Sequence, residues 1–128
     1  MITLFKDIHS TDTPFYRSID YVLKRIETGE FSDSIIDSIR ESQDKSERQE
    51  LKKLLPAICF SGTFKRREDA ALIEHSGFIC LDFDGYKSTE EMIDDKYKFA
   101  EDQYVYSVFV SPSGVGLKVI VKIPPVAE

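Results

Sequence analysis

The chain has 128 residues, 41% hydrophobic and 31% charged, with few glycines and prolines. That is the make-up of one globular domain with a real core, and it excludes a disordered or fibrous chain. A formal net charge of −6 excludes a broad basic surface that binds nucleic acid mainly by neutralising phosphates, so any DNA or RNA contact requires a local basic patch or a neighbouring domain.

In chain order, "ITLF" reads as a short strand. Thr13 and Pro14 fit an N-cap and first helical residue, and Phe15, Ile19, Val22, Leu23 and Ile26 then repeat at helical spacing up to Gly29. "SDSIIDSIRES" predicts a second helix with Ile35, Ile36 and Ile39 inward, and "DKSERQELKKLL" a polar third that stops before Pro56. "AICFSG" is a strand ending in a turn. "REDAALIEHSG" is a short helix closed by Gly77, with His75 complementing its C-terminus. "FICLDFDG" is a strand, and "STEEMIDDKYKFAED" opens a helix with Ser88 and Glu91 at capping-box spacing, its "EEMIDD" run forming a solvated face. "YVYSVFVS" and "LKVIVKI", separated by "PSGVG", predict an antiparallel hairpin. The order gives an α+β domain over residues 1–128: a helical N-terminal section, then a mixed or antiparallel sheet with helices mainly on one face. The chain stops at "PPVAE", directly after the last strand, which reads as a truncated C-terminal end.

The apolar runs fall short of the roughly 20 residues that cross a bilayer. "MITLFKDIHSTDTPF" has no basic region followed by an apolar one, so no secretory signal is expected. Cys59 and Cys80 each lie in an apolar run, as reduced thiols of an intracellular protein do. The expected location is the cytoplasm.

Strand alternation puts Ile79, Leu81 and Phe83 on one side and Cys80, Asp82 and Asp84 on the other. The Cα atoms of Asp82 and Asp84 are then about 6.5–7 Å apart, close enough for both carboxylates to converge on Mg2+ or Mn2+, which favour oxygen ligands and leave positions for water and phosphate. The alternative is two solvated aspartates at a strand end. Beside them, Lys118 begins the second strand of the hairpin, after a loop in which Ser111, Ser113 and the amides around Gly114 and Gly116 can cradle phosphate oxygens, unless the loop is only a turn. It is not a Walker A loop, because a strand follows it. Lys65, Arg66 and Arg67 form the one compact basic cluster, suited to a triphosphate or a nucleic-acid backbone, or else a solvated helix start.

"LPAICFSGTFKRREDAALIEHSGFICLDFDG" and "YVYSVFVSPSGVGLKVIV", with the front "IDYVLKRIETGEF", resemble the VirE-type N-terminal domain found ahead of helicase-like regions in mobile-element and phage proteins. That domain in turn resembles the archaeo-eukaryotic primase, or primase-polymerase, superfamily. The resemblance implies an RRM-like core and nucleotidyl transfer in DNA replication or mobilisation. It further implies a metal-binding Asp82 and Asp84, a nucleotide-phosphate loop at Ser113, Gly114 and Gly116, and a catalytic position at Lys118, where many superfamily members carry histidine. A third acidic residue is expected after the hairpin. The implied partners are a nucleoside triphosphate, DNA or RNA, and a downstream helicase domain, with Mg2+ or Mn2+ as cofactor and with weak or no activity in the fragment alone. Two rivals stand beside this reading. One is a non-catalytic nucleic-acid or helicase docking module. The other is a haloacid-dehalogenase-type phosphatase, with Asp82 as nucleophile and Asp84 as acid and base, although Tyr86 replaces its usual Thr or Val.

Overall fold

A computed structural model describes residues 1–29 and 33–123. The expected tail "PPVAE", and Ser32 at the start of the second helix, lie outside the described residues. The described chain is α+β, with four α-helices and three small antiparallel sheets. It divides into two compact units, Met1–Ser76 and Gly77–Glu128. No described helix is long and apolar enough to cross a membrane.

In the first unit, β1 (Ile2–Phe5) lies between β2 (Phe15–Arg17) and β3 (Ala57–Cys59), antiparallel to both. Helices α1 (Ile19–Thr28), α2 (Asp33–Glu41) and α3 (Lys45–Lys52) connect β2 to β3. The first helix begins later than Thr13 and Pro14 predict. Phe15–Arg17 pairs with β1 instead, and the Tyr16 hydroxyl donates to the Phe64 carbonyl at 2.7 Å. The cap is Ser18, whose Oγ accepts from the Tyr21 N–H at 3.2 Å, and Gly29 ends the helix in the left-handed conformation (φ 74°). Ile39 is fully buried on α2, while α3, capped by Asp44, buries no side chain.

The segment read as a helix over "REDAALIEHSG" is a single 3-10 turn, Asp69–Ala71, running into β5 (Leu72–His75). β5 pairs with β4 (Gly62–Phe64), so His75 sits in a strand opposite Gly62 and not at a helix end. All four β5 residues are exposed, which leaves no amphipathic stripe to hold a helix. At Gly62 the strands approach so closely that a Cβ would meet the Glu74 carbonyl and sit 2.8 Å from Leu72 Cδ1. Thr3, fully buried, ties this hairpin to β1: its Oγ1 donates to the Gly62 carbonyl at 2.8 Å and accepts from the Phe64 N–H at 3.0 Å.

The second unit holds the sheet β6 (Phe78–Phe83), β8 (Leu117–Lys122) and β7 (Val105–Val110), with β8 central, and α4 (Thr89–Glu101). Ser88 caps α4, its Oγ accepting from the Glu91 N–H at 3.3 Å, as the capping-box spacing predicts. The register pairs Leu81 with Val119 and Val119 with Val108, and Phe83 with Leu117 and Leu117 with Val110, so one face of the sheet is apolar. Met92 of α4 packs there with Leu117 and Val119, all buried, and Phe99 stacks on Phe83 with ring centroids 4.9 Å apart. That placement leaves Asp82 and Lys118 on the opposite face.

Thr3→Val leaves the Gly62 carbonyl and the Phe64 N–H buried without partners, and lowers stability by about 2 kcal/mol. Urea unfolding should show an earlier midpoint at unchanged slope, with Thr3→Ser close to wild type.

Candidate functional site

The antiparallel pairing of β6 with β8 sets Asp82 directly across from Lys118. Side chains opposite each other on adjacent strands share a face and stand within contact range. Lys118 Nζ donates to Asp82 Oδ1 at 2.8 Å, with the lysine side chain 32% and the aspartate 53% exposed. Lys118 is thus the resident counter-ion of the acidic strand. The Cys80 thiol, on the same side, points at the same carboxylate oxygen from 3.9 Å. Burial, relieved in part by Lys118 and reinforced by Asp82, pushes that thiol up to about 11.

Asp84 lies one residue beyond β6, exposed, where Gly85 (φ 78°) turns the chain away. The serine–glycine loop folds back onto it. A Cβ at Gly116 would stand 2.6 Å from Asp84 Oδ1, 2.9 Å from the Phe83 carbonyl and 3.0 Å from Ser111 Oγ. Only glycine at 116 lets the hairpin close against the end of β6. Asp84, Ser111 and Gly116 therefore meet at one point. Ser111 and Ser113 share a hydroxyl–hydroxyl hydrogen bond of 2.9 Å.

The loop is not the open amide nest that its glycines suggest. The Gly114 N–H donates to the Ser111 carbonyl at 3.0 Å, and the Val115 N–H to Ser113 Oγ at 3.3 Å. Gly114 (φ 80°) makes the tight turn. The Gly114 and Val115 amides are thus engaged within the turn, and the polar side chains beside it are Ser111, which is buried, Ser113 and Lys118.

Sequence reasoning missed a clamp behind this loop. The Tyr86 N–H donates to the Val115 carbonyl at 2.9 Å, and the Tyr86 hydroxyl donates to Asp95 Oδ2 at 2.8 Å. Burial and that carboxylate push the phenol up to about 12. Tyr86 so joins the loop to α4, and "EEMIDD" is not wholly a solvated face, since Asp95 is half-buried and turned to Tyr86. The signal was available: Met92, Asp95 and Phe99 fall on one helical stripe.

Lys65, Arg66 and Arg67 lie in the other unit, Met1–Ser76. Arg66 is paired with Glu68 at 2.6 Å. Arg67 donates through its guanidinium to the Ile8 carbonyl at 2.9 Å and through its backbone to Thr11. Two of the three cations therefore hold local structure. The position expected for a third acidic residue falls outside the described residues.

The profile of a protein family described as BT4734-like, N-terminal domain, matches residues 50–126, more than half of the chain. No curated protein and no solved structure matches it.

Two outcomes follow from the geometry. Gly116→Ala forces a methyl group against the Phe83 carbonyl and the Asp84 carboxylate and costs about 1–3 kcal/mol, visible as a lower thermal midpoint. The raised Cys80 thiol leaves about one thiolate in a thousand at pH 8, so its reaction with a disulfide reagent should run orders of magnitude slower than that of a free thiol and should accelerate up to about pH 11.

Proposed function

The chain belongs to the BT4734-like, N-terminal domain family, and we propose that it is the nucleotide- and divalent-metal-binding part of a primase-polymerase-like nucleotidyltransferase domain. In this reading it serves replication or mobilisation of a mobile element, ahead of a helicase-like region, as its resemblance to the VirE-type N-terminal domain implies. The observation that carries the reading is the meeting of Asp84, Ser111 and Gly116 beside the Asp82–Lys118 pair. It puts two carboxylates, a serine hydroxyl pair and an ammonium at one end of the sheet. The antiparallel sheet with α4 on one face is compatible with the α+β core that the resemblance implies.

The donors fit a hard cation. Carboxylate and hydroxyl oxygens are the set that Mg2+ and Mn2+ prefer, and both aspartates are exposed at a glycine-bounded end of the strand. Among the described residues no three His, Cys, Asp or Glu side chains converge. Asp82 and Asp84 would hold the metal, with the remaining positions left to water and phosphate oxygens, as magnesium sites commonly leave them. A divalent cation, when bound, polarises a phosphoryl group and lowers the pKa of an attacking hydroxyl.

Lys118 neutralises Asp82 while no ligand is present. When a triphosphate enters, the ammonium exchanges that carboxylate for a phosphate oxygen, and Ser111 and Ser113 orient the same group through their hydroxyls. Its role is binding and charge neutralisation, in contrast to the titratable imidazole of histidine-bearing superfamily members.

Calorimetric titration of a nucleoside triphosphate with Mn2+ into wild type and an Asp82→Asn/Asp84→Asn variant tests the reading. Metal-dependent affinity should fall about tenfold or more in the variant. Equal affinity in both would overturn it and favour a docking module. Lys118→Met separates the two roles of the lysine. Mn2+ alone should bind up to about fivefold more tightly, because an exposed ion pair no longer competes for Asp82, while triphosphate affinity drops.

A further inference from the structure

The first unit carries a cavity of about 210 Å3, open to solvent. Strand alternation builds its wall. Phe15 and Arg17 share one side of β2, across from Leu4 and Ile2 of β1. Tyr21 of α1 and Pro56, just before β3, close it. The interior offers almost no polar surface. A polar group entering it would shed its water and find no partner in exchange, which is costly. The part of a ligand that enters is therefore apolar. Phe15, still 48% exposed, has apolar surface left to cover, and covering it is favourable.

Around this apolar interior the charge is of one sign. Lys6 and Arg17 are the charged residues of the lining, in a chain whose net charge is −6. Arg17 is held in place: its guanidinium donates to the Tyr16 carbonyl at 2.7 Å and lies 6.0 Å from the Tyr21 ring centroid. The same ring carries Arg25, whose guanidinium lies 5.5 Å from the centroid and donates to the Tyr21 hydroxyl at 2.8 Å. Tyr21 is thus no open stacking surface. It is the post on which two cations are held, one of them in the lining. Asp7, the acid next to Lys6, is turned into its own loop, where its carboxylate accepts from the His9 and Ser10 amides. The cavity is smaller than the roughly 300 Å3 at which pockets for whole drug-sized ligands begin. It has room for one apolar side chain, with the chain on either side of that anchor left outside among the cations.

We propose that this cavity is a docking site for an acidic peptide segment of a partner protein. One large apolar side chain of the segment, phenylalanine or leucine, sits against Leu4 and Phe15, and carboxylates flanking it pair with Arg17 and Lys6. A pocket that takes one anchor supplies most of the affinity of such an interface, and complementary charge around it selects the partner. The site is independent of the nucleotide reading of the second unit. It also differs from the basic cluster Lys65–Arg67, whose arginines are already engaged.

Nuclear magnetic resonance titration of the full chain, labelled with nitrogen-15, tests it. The probe is a synthetic oligoglutamate with one central phenylalanine. Amide signals should shift at Leu4, Lys6, Phe15 and Arg17, and stay in place at Lys65 and Asp82. Exchanging the central phenylalanine for alanine should weaken binding about tenfold or more, and because that change is on the peptide, the protein's own fold is not at issue. Phe15→Ala should weaken the phenylalanine peptide more than the alanine peptide, as a direct contact requires. Arg17→Gln, a change at an exposed side chain, should weaken both peptides at low salt and matter less at high salt. No binding by the wild type would overturn the proposal. So would equal affinity for the two peptides, which would reduce the contact to charge alone, or shifts gathered at Lys65–Arg67. Tighter binding of oligothymidylate than of the phenylalanine peptide at the same residues would also overturn it, and would make the cavity a nucleic-acid site.

Discussion

Everything at the acidic end of the second unit depends on the register between β6 and β8. Six residues pair in unbroken succession, Phe78 with Lys122 through Phe83 with Leu117. That succession decides at once which residues face α4 and which face away. A slip of β8 by one residue would send Leu117 and Val119 to the other face and bring Lys118 against Met92, because side chains alternate strictly along a strand. The buried Leu117 and Val119 exclude such a slip by hydrophobic burial alone. The ion pair between Asp82 and Lys118 is a result of the register more than its cause, since an exposed pair contributes at most about 1 kcal/mol.

The same logic separates what the sequence revealed from what it concealed. "FICLDFDG" and "LKVIVKI" alternate over six residues or more, so their faces could be assigned from periodicity, and Asp82 falls on the face away from α4 beside Lys118. Ser88 and Glu91 announced α4 because a cap is a local hydrogen bond that needs no tertiary partner. β2 and β5 are three and four residues long and mostly exposed, too short for any period to declare itself. Each is a strand because of what lies beside it: Leu4 across from Phe15, and the bare backbone of Gly62 across from His75. Nor could sequence have shown that Lys118 stands opposite Asp82. They are 36 residues apart, and only the pairing brings them together.

The serine–glycine loop illustrates a different limit. Its composition suggested backbone amides facing outward, yet the fold uses the Gly114 and Val115 amides to close the turn. Every backbone N–H in a tight loop needs an acceptor, and the nearest ones are the loop's own. What remains is side-chain chemistry, a buried Ser111 and a half-buried Ser113 held oxygen to oxygen, on a loop that Tyr86 and Asp95 pin from behind. Such a loop is set in shape before any ligand arrives, which lowers the ordering cost of binding.

The position of β6 has a consequence apart from chemistry. It is an edge strand of its sheet, and its apolar face leaves Leu81 41% and Phe83 37% exposed. An open edge with exposed apolar side chains is a template on which a second chain can add a strand and begin aggregation. Asp82 is matched by Lys118, but Asp84, at the end of the strand, carries a charge that repels an identical strand laid beside it. That carboxylate sits where a gatekeeper against self-association is placed, a part it plays through charge alone and without any chemistry.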